Sequence, residues 1–401
     1  MSLWLPWCTA LSTLRPAFSR QRTFLWFLLG IAGLSVRGDN LGITSIVRAL
    51  SLDGRHYHAL LRCCHSRAIK LPVLARLWTR TVVRLFGDRL ERVEGRLVLL
   101  ADGKKIARAG RRMPAVKSLH QQSESNTKPA FIMGHSAQAV SVLANAGRSV
   151  LAEPLAAQIH DGTVFTNRDK RTLLDKLLIM IEGLGLGGPV YLVADAYYGN
   201  GKIIEGMLRG GSHLVSLAKS NVVAYREPAS MRGKHTRGRP RVYGKKAKLA
   251  SLFGDAREFE PMSSLVYGEE DVTIHVRSLA LLCKPAGRSC ASRSSSIPRR
   301  KLRAFHVFLF AGVIAQGLMH YLAACHTETV WRAHRSWLRT IRNGVTNRCP
   351  TCLTSTIPPP DRRCRTCGSS CPASATTPRL GWATCWTATA SSDASTPASW
   401  R

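Results

Sequence analysis

Acidic side chains are scarce in this sequence: 24 Asp+Glu face 58 Lys+Arg, a formal net charge of +34 over 401 residues. So large a deficit leaves self-repulsion uncompensated and favours polyanionic partners, either nucleic acid or an anionic membrane surface. Apolar runs that would decide for the membrane are lacking too. Thr23–Val36 is apolar over only 14 residues, whereas a bilayer span needs about 20. Arg20 and Arg22 precede it, but no small-residue cleavage site follows cleanly before Arg37. Phe305–Ala324 has the length but contains His306, Gln316 and His320. Both runs read as buried helices. An even cysteine framework is also missing: six of the twelve cysteines lie beyond residue 341 and the others are scattered, as free thiols in a reducing compartment are. There is no internal repeat. With 45% apolar and 20% charged residues, the chain is still not a disordered polyelectrolyte.

The charge is unevenly spread. Residues 1–286 carry 42 basic and 21 acidic side chains, whereas residues 287–401 carry 16 and 3. Residues 14–90 have helical periodicity: Phe24, Phe27, Leu28, Ile31 and Leu34, then Ile43, Ile46, Val47 and Leu50, then Leu71 to Leu85. From residue 95 the texture changes. Gly95–Ala101 is a buried-strand pattern that meets a turn signal at Asp102-Gly103, and further strand patterns follow at 131–143 and 149–158. A helix is expected over 168–183, a buried strand over 189–194 that ends at Asp195, a helix over 201–209 and a strand over 213–217. Strands first, then helix and strand in alternation, argue for an α/β sheet of mixed strand order. Strand texture returns over 271–282, a helix is expected over 305–331, and beyond Trp331 periodicity is lost.

Asp102 and Asp195 share one context: each is the first acid after a buried apolar strand, at the end where open α/β sheets place their sites. Two carboxylates brought together there repel, and a divalent cation relieves the repulsion; hard oxygen ligands favour Mg²⁺ or Mn²⁺. Such a site activates water or a 3′-hydroxyl for phosphoryl transfer. The competing reading, that both aspartates merely cap turns, is open at this stage.

Leu99-Leu-Ala-Asp-Gly-Lys-Lys-Ile106, followed by Arg112–Ser123, resembles the first-aspartate region of bacterial insertion-sequence transposases of the DDE-superfamily endonuclease group. Leu192-Val-Ala-Asp-Ala-Tyr-Tyr-Gly199 resembles their second-aspartate strand, and Leu14–Thr23 with Leu41–Val47 resembles their helical leader. The resemblance covers roughly residues 14–286 and returns at 305–331. It implies a ribonuclease H-like mixed sheet flanked by helices, with an N-terminal helical DNA-binding region (1–94) and a catalytic domain (95–286); composition adds a basic loop (226–250), a truncated or altered end (287–331) and a disordered or frame-shifted tail (332–401). It further implies Mg²⁺ or Mn²⁺ on Asp102 and Asp195, double-stranded DNA (transposon ends and target) as partner, homo-oligomers as possible assemblies, and a cytoplasmic, nucleoid-associated location. The family's third acid, a Glu in a stretch like Tyr-x-x-Arg-x-x-Ile-Glu, is not found: Glu269, Glu270 and Asp271 come too early and Glu328 too late, and Gly287–Arg303 contains no acid. A deletion with a shifted reading frame would account for this, leaving either a degenerate enzyme or a remnant that binds DNA without cutting it.

Other features point toward DNA or toward nothing catalytic. Residues 232–248 hold 8 Lys/Arg in 17 positions and no acid. Arg237-Gly-Arg239-Pro240 and Arg241 resemble a minor-groove hook, and Lys245, Lys246 and Lys248 would add phosphate contacts. Lys104, Lys105, Arg111 and Arg112 could position the scissile phosphate, and Lys117, Gln121 and Asn126 a DNA end. Cys349–Cys352 and Cys364–Cys367 mimic a zinc ribbon, but the spacer is short and the composition resembles an off-frame reading. His120, His135, His160 and His213 form no metal-spaced pair, and His56-Tyr-His58 lies in the helical leader. Gly183–Gly188 follows a helix and precedes a strand, the wrong order for a phosphate loop.

Overall fold

The computed structural model describes residues 3–39, 42–108, 110, 113–120, 130–147, 150–160, 171–218, 222–228, 242–253, 258–263, 273–282 and 300–327. Five helices come first: α1 (Trp4–Ser12), α2 (Gln21–Val36), α3 (Ile43–Ala49), α4 (His56–His65) and α5 (Leu71–Phe86). Each exists because one stripe of its surface is apolar. On α2, Phe24, Phe27 and Ile31 are buried; on α5, Leu74, Trp78, Val82 and Phe86 are, at the spacing that keeps side chains on one face. Gly33 of α2 is where α3 crosses closely, since a Cβ there would overlap Ile46.

The sheet follows: β1 (Arg92–Val93), β2 (Arg96–Ala107), β3 (Lys117–His120), β4 (Phe131–Asn145), β5 (Val150–His160), α6 (Leu173–Leu184), β6 (Val190–Ala194), α7 (Gly201–Arg209) and β7 (His213–Ser216). Its central path runs β4-β2-β6-β7, with β5 and β3 on the far side of β4 and β1 on β2. β2, β4 and β5 pair antiparallel, whereas β2, β6 and β7 pair parallel. Three antiparallel strands, then two parallel ones reached through crossover helices, form the ribonuclease H-like mixed sheet that was expected. Local chemistry sets the helix bounds. Thr172 and Asp175 cap the start of α6 reciprocally, left-handed Gly185 ends it, and Asn200 caps α7. Gly183–Gly188 is therefore a helix end and turn, as read from the sequence.

Three expectations need correction. β2 does not end at Asp102-Gly103 but runs on to Ala107, because β4 offers a partner at every step from Ala139 to Gly134. The strand texture over 271–282 yields only β11 (Thr273–Val276), which pairs with β10 (Glu260–Ser263) apart from the main sheet. The last helix, α8 (Arg300–Cys325), starts earlier than periodicity indicated. A further small ribbon pairs β8 (Val223–Tyr225) with β9 (Lys246–Lys248).

α8 is long and apolar enough to cross a bilayer by length and composition, yet 67% of its most apolar window is buried inside the protein. Its N-terminal part packs Leu302 and Phe305 with Ala137 and Ile159, while Val307, Ile314 and Leu318 join the main core. Opposite α8, a bulge places Leu155 between the paired positions Ala156 and Pro154, which is where a strand tolerates proline. The Pro154 carbonyl accepts the Trp78 indole N–H at 2.9 Å. Beside it lies fully buried Glu153, with Oε2 3.2 Å from His320 Nδ1 and His320 in turn 3.3 Å from Gln316. Among the described residues Oε1 has no hydrogen-bond partner.

Burial pushes the Glu153 carboxyl above the ordinary carboxylate range, and His320 only partly opposes this. The folded protein thus keeps a proton that the unfolded chain has released, so this group's stabilising contribution is complete at low pH and is lost as pH rises through the raised value. Cys325, which burial holds protonated, feels the Glu153 charge. Glu153→Gln is expected to remove the decline in stability above about pH 4.3, as measured by urea unfolding at a series of pH values.

Candidate active site

The β2–β6 register runs from Leu97↔Val190 to Ala101↔Ala194. The next residue along each chain is an aspartate, so Asp102 and Asp195 directly follow the last paired residues of two adjacent strands. Alternation decides which way they face. Leu97, Leu99 and Ala101 of β2 and Leu192 and Ala194 of β6 point into the main core. Asp102 is one step out of phase and emerges on the opposite face, exposed, while half-buried Asp195 follows the end of β6.

The two strands part company here. β2 continues because β4 still pairs with it, whereas β6 stops and turns. The turn is built around Asp195. Its Oδ1 accepts the Tyr197 N–H at 3.1 Å, and its carbonyl accepts the Tyr198 N–H at 3.0 Å and the Ser216 hydroxyl at 2.8 Å. Tyr198 is 2% exposed and holds the turn from below. Its hydroxyl lies 3.2 Å from where a Cβ on Gly103 would be, so the glycine after Asp102 makes room for it. Burial pushes the Tyr198 phenol well above its ordinary value, and the fields of Asp195 and Asp102 push it further, so it stays a neutral hydroxyl. On its own strand, Asp102 Oδ1 accepts the Gly103 N–H at 2.7 Å. Across β4 and β5 the register sets Ala139 and Ala157 beside Asp102, a floor of small side chains on that side of the carboxylate. Tyr198, Gly103 and this alanine floor escaped the sequence reading, because only the strand register reveals them.

The basic residues separate by face. Lys104, two positions after Asp102, shares its face; burial lowers its ammonium pKa and Asp102 partly restores it. Lys105 points the other way and donates to the His120 carbonyl at 2.5 Å. Lys245, Lys246 and Lys248 are exposed on and next to β9. Arg111, Arg112, Arg237, Arg239 and Arg241 lie outside the described residues, as do Gln121 and Asn126. His135 is buried between Arg108, which donates to its Nδ1 at 3.3 Å, and the Pro114 carbonyl, 2.9 Å from Nε2. Burial lowers its pKa, as does Arg108, so it is a neutral structural imidazole. Cys63 and Cys64 are pushed up to about 12 and about 11 by burial and are thiols, not nucleophiles, at neutral pH.

The donor set suits a hard divalent cation: two carboxylates on an open face, with room beside them. Mg²⁺ commonly uses only one or two protein carboxylates and completes its shell with water and substrate phosphate. Among the described residues no group of three His, Cys, Asp or Glu side chains could hold a metal. Glu153, on β5, is sealed in the core and is not a third ligand. Glu269, Glu270, Asp271 and Glu328 lie outside the described residues.

A search of curated proteins finds no match. Among solved structures, the chain is similar to a piggyBac transposase, seen by cryo-EM in a synaptic complex with hairpin DNA, at 13% identity. The alignment covers 55% of this chain and 46% of that one with a TM-score of 0.26, so the chain spans less than half of that protein, and the likeness is too weak to bear on function. The family described as DDE superfamily endonuclease matches residues 13–261, more than half of the chain, from the helical leader through both aspartates. With that span of sequence, this chain belongs to the DDE-superfamily endonucleases.

Proposed function

We propose that the protein is the transposase of a bacterial insertion sequence, acting on the element's DNA ends by metal-dependent cleavage and strand transfer, with catalysis weakened by the lack of the third acid. The observation that supports this reading is the β2–β6 register, whose last pair, Ala101↔Ala194, is followed on each chain by an aspartate, Asp102 exposed and Asp195 half-buried. In this reading the two carboxylates hold Mg²⁺ or Mn²⁺, which when bound lowers the cost of charge on a phosphodiester under attack. The chain's own groups do the rest. Asp102 is kept in place by the Gly103 amide and Asp195 by the Tyr197 amide, Lys104 offers a cation to a phosphate on the same face, and the alanine floor leaves space for the sugar-phosphate backbone. A water attacks the phosphodiester in line and expels a DNA 3′-hydroxyl, which then attacks a target phosphodiester in line and expels the target's 3′-hydroxyl. The helical leader, the loop 232–248 and Lys245, Lys246 and Lys248 hold duplex DNA through phosphate contacts, and the work takes place in the cytoplasm on nucleoid DNA.

A second reading rests on its own observation. From Val272 to Thr327 the sequence contains no Asp or Glu, including the whole segment Gly287–Arg303 where the family's Glu belongs. On that reading the protein grips DNA ends without cutting them. Incubating full-length protein with duplexes that carry the element's terminal repeat, with Mg²⁺ or Mn²⁺, decides between them. Nicking that Asp102→Asn abolishes supports the enzyme; binding without nicking supports the remnant. Family-like peptide in another frame of the gene around residues 287–303 would identify the shift as the cause.

A further inference from the structure

The stretch from Gly54 to Gly87, which contains α4 and α5, has seven Lys or Arg and no acid. All seven (Arg55, Arg62, Arg67, Lys70, Arg76, Arg80 and Arg84) are exposed. Arg55 is held by Asp53 at 3.3 Å. Among the described residues no ion pair engages Arg76, Arg80 or Arg84. These three stand at i, i+4 and i+8 of one helix and therefore share a face, opposite the stripe of Leu74, Trp78, Val82 and Phe86 that α5 buries. They span about 12 Å along the axis, a distance over which one DNA strand presents about three to four phosphates. Gly185, left-handed at the end of α6, lets the Arg76 stem lie across it: a Cβ there would be 3.2 Å from Arg76 Cγ. At the helix's start, Arg303 donates to the Ser66 and Ile69 carbonyls and adds another cation near Arg67.

The buried stripe of α5 belongs to the same core as Leu97, Leu99, Ala101, Leu192 and Ala194. Those residues alternate with Asp102 along the strands, so α5 and the carboxylate pair lie on opposite faces of the sheet. We propose that the outer face of α5 is a docking ridge for the backbone of duplex DNA, separate from the DNA segment at Asp102 and Asp195. The proposal deepens the DNA-acting reading by assigning a second contact surface, and it rests on that reading only for the choice of DNA as partner. Charge complementarity argues for the occupant: arginine forks without acidic competitors match a row of phosphates and carry no means of reading bases.

The test uses full-length protein in EDTA, with binding to a 30-bp duplex measured by fluorescence anisotropy at a series of salt concentrations. The Arg76→Gln/Arg80→Gln/Arg84→Gln variant is expected to reduce the slope of log K against log salt by about 2 to 3, while the corresponding triple Lys variant keeps most of it. Circular dichroism confirms that both variants are folded. An unchanged slope in a folded Gln variant overturns the proposal, as does loss of binding to anionic phosphatidylserine vesicles with DNA binding intact. Because no metal is present, a protein that never nicks DNA can still support the ridge, and a nicking enzyme with an unchanged slope rejects the ridge alone.

Discussion

Asp102→Asn and Asp195→Asn are each expected to lower divalent-metal-dependent nicking of terminal-repeat DNA by at least about a thousandfold, with little change in DNA affinity measured in EDTA. The size follows from the donor set. With only two carboxylates in the described site, converting either to an amide removes half of the protein's charge on the cation and leaves a single anionic ligand. A loss of about 4 kcal/mol in transition-state stabilisation, within the several kcal/mol such a cation supplies, is about a thousandfold in rate. Asn is isosteric, and Asp102 is exposed, so folding is not expected to suffer. Asp195 needs a closer check because its Oδ1 holds the Tyr197 amide, a bond that Asn retains through its carbonyl oxygen. Loss of nicking in both variants, with unchanged thermal melting, is the signature of a shared ligand role. Loss only with a lowered melting temperature would assign Asp195 to the turn instead.

Gly317→Ala is expected to be a strongly destabilising methyl addition. α8 crosses β5 so closely at this point that a Cβ would overlap both the Trp78 ring and the Glu153 carboxylate. Neither can yield: Trp78 and Glu153 are both fully buried, and the Trp78 indole is bonded to Pro154. Overpacking of this kind costs about 3 kcal/mol at the upper end, and the gain in helix propensity from Gly to Ala returns about 1 kcal/mol. The net loss of about 2 kcal/mol should lower the melting temperature by about 4–8 °C. Gly312→Ala, about one and a half turns earlier on the same helix, is the control, because no atom of the described residues lies within 4 Å of its added Cβ. It should raise stability by up to about 1 kcal/mol. Equal effects at the two positions would mean that α8 does not pack on β5 at Gly317.

Much of this architecture was legible in the residues themselves. β2 and β6 announce themselves as short apolar runs because both faces of a central strand start out buried, and α2, α5, α6 and α7 show their buried stripes directly. The end of β2 was misread because Asp-Gly is a turn signal by local preference, and local preference loses to a neighbouring strand that supplies a full ladder. The strand texture near 273 gave no warning that its partner would be Glu260–Ser263 and not the main sheet, since pairing is a long-range choice. At the site, the two acids could be found from their position after apolar strands. That the strands leading to them are neighbours is a fact of register, as is the alanine floor, and the seat of Tyr198 beneath Gly103 is a fact of packing. The arginines of α5 are visible at helical spacing in the sequence, but their shared exposure, and their place on the reverse of the sheet, come only with the packing.

Calorimetric titration of full-length protein with Mn²⁺, alone and with terminal-repeat DNA, compared with the Asp102→Asn/Asp195→Asn double variant, goes to the centre of the account. The wild-type protein should bind the ion, more tightly when DNA phosphates complete the shell, and the double variant should bind none. Equal Mn²⁺ binding by both proteins, with and without DNA, would contradict it.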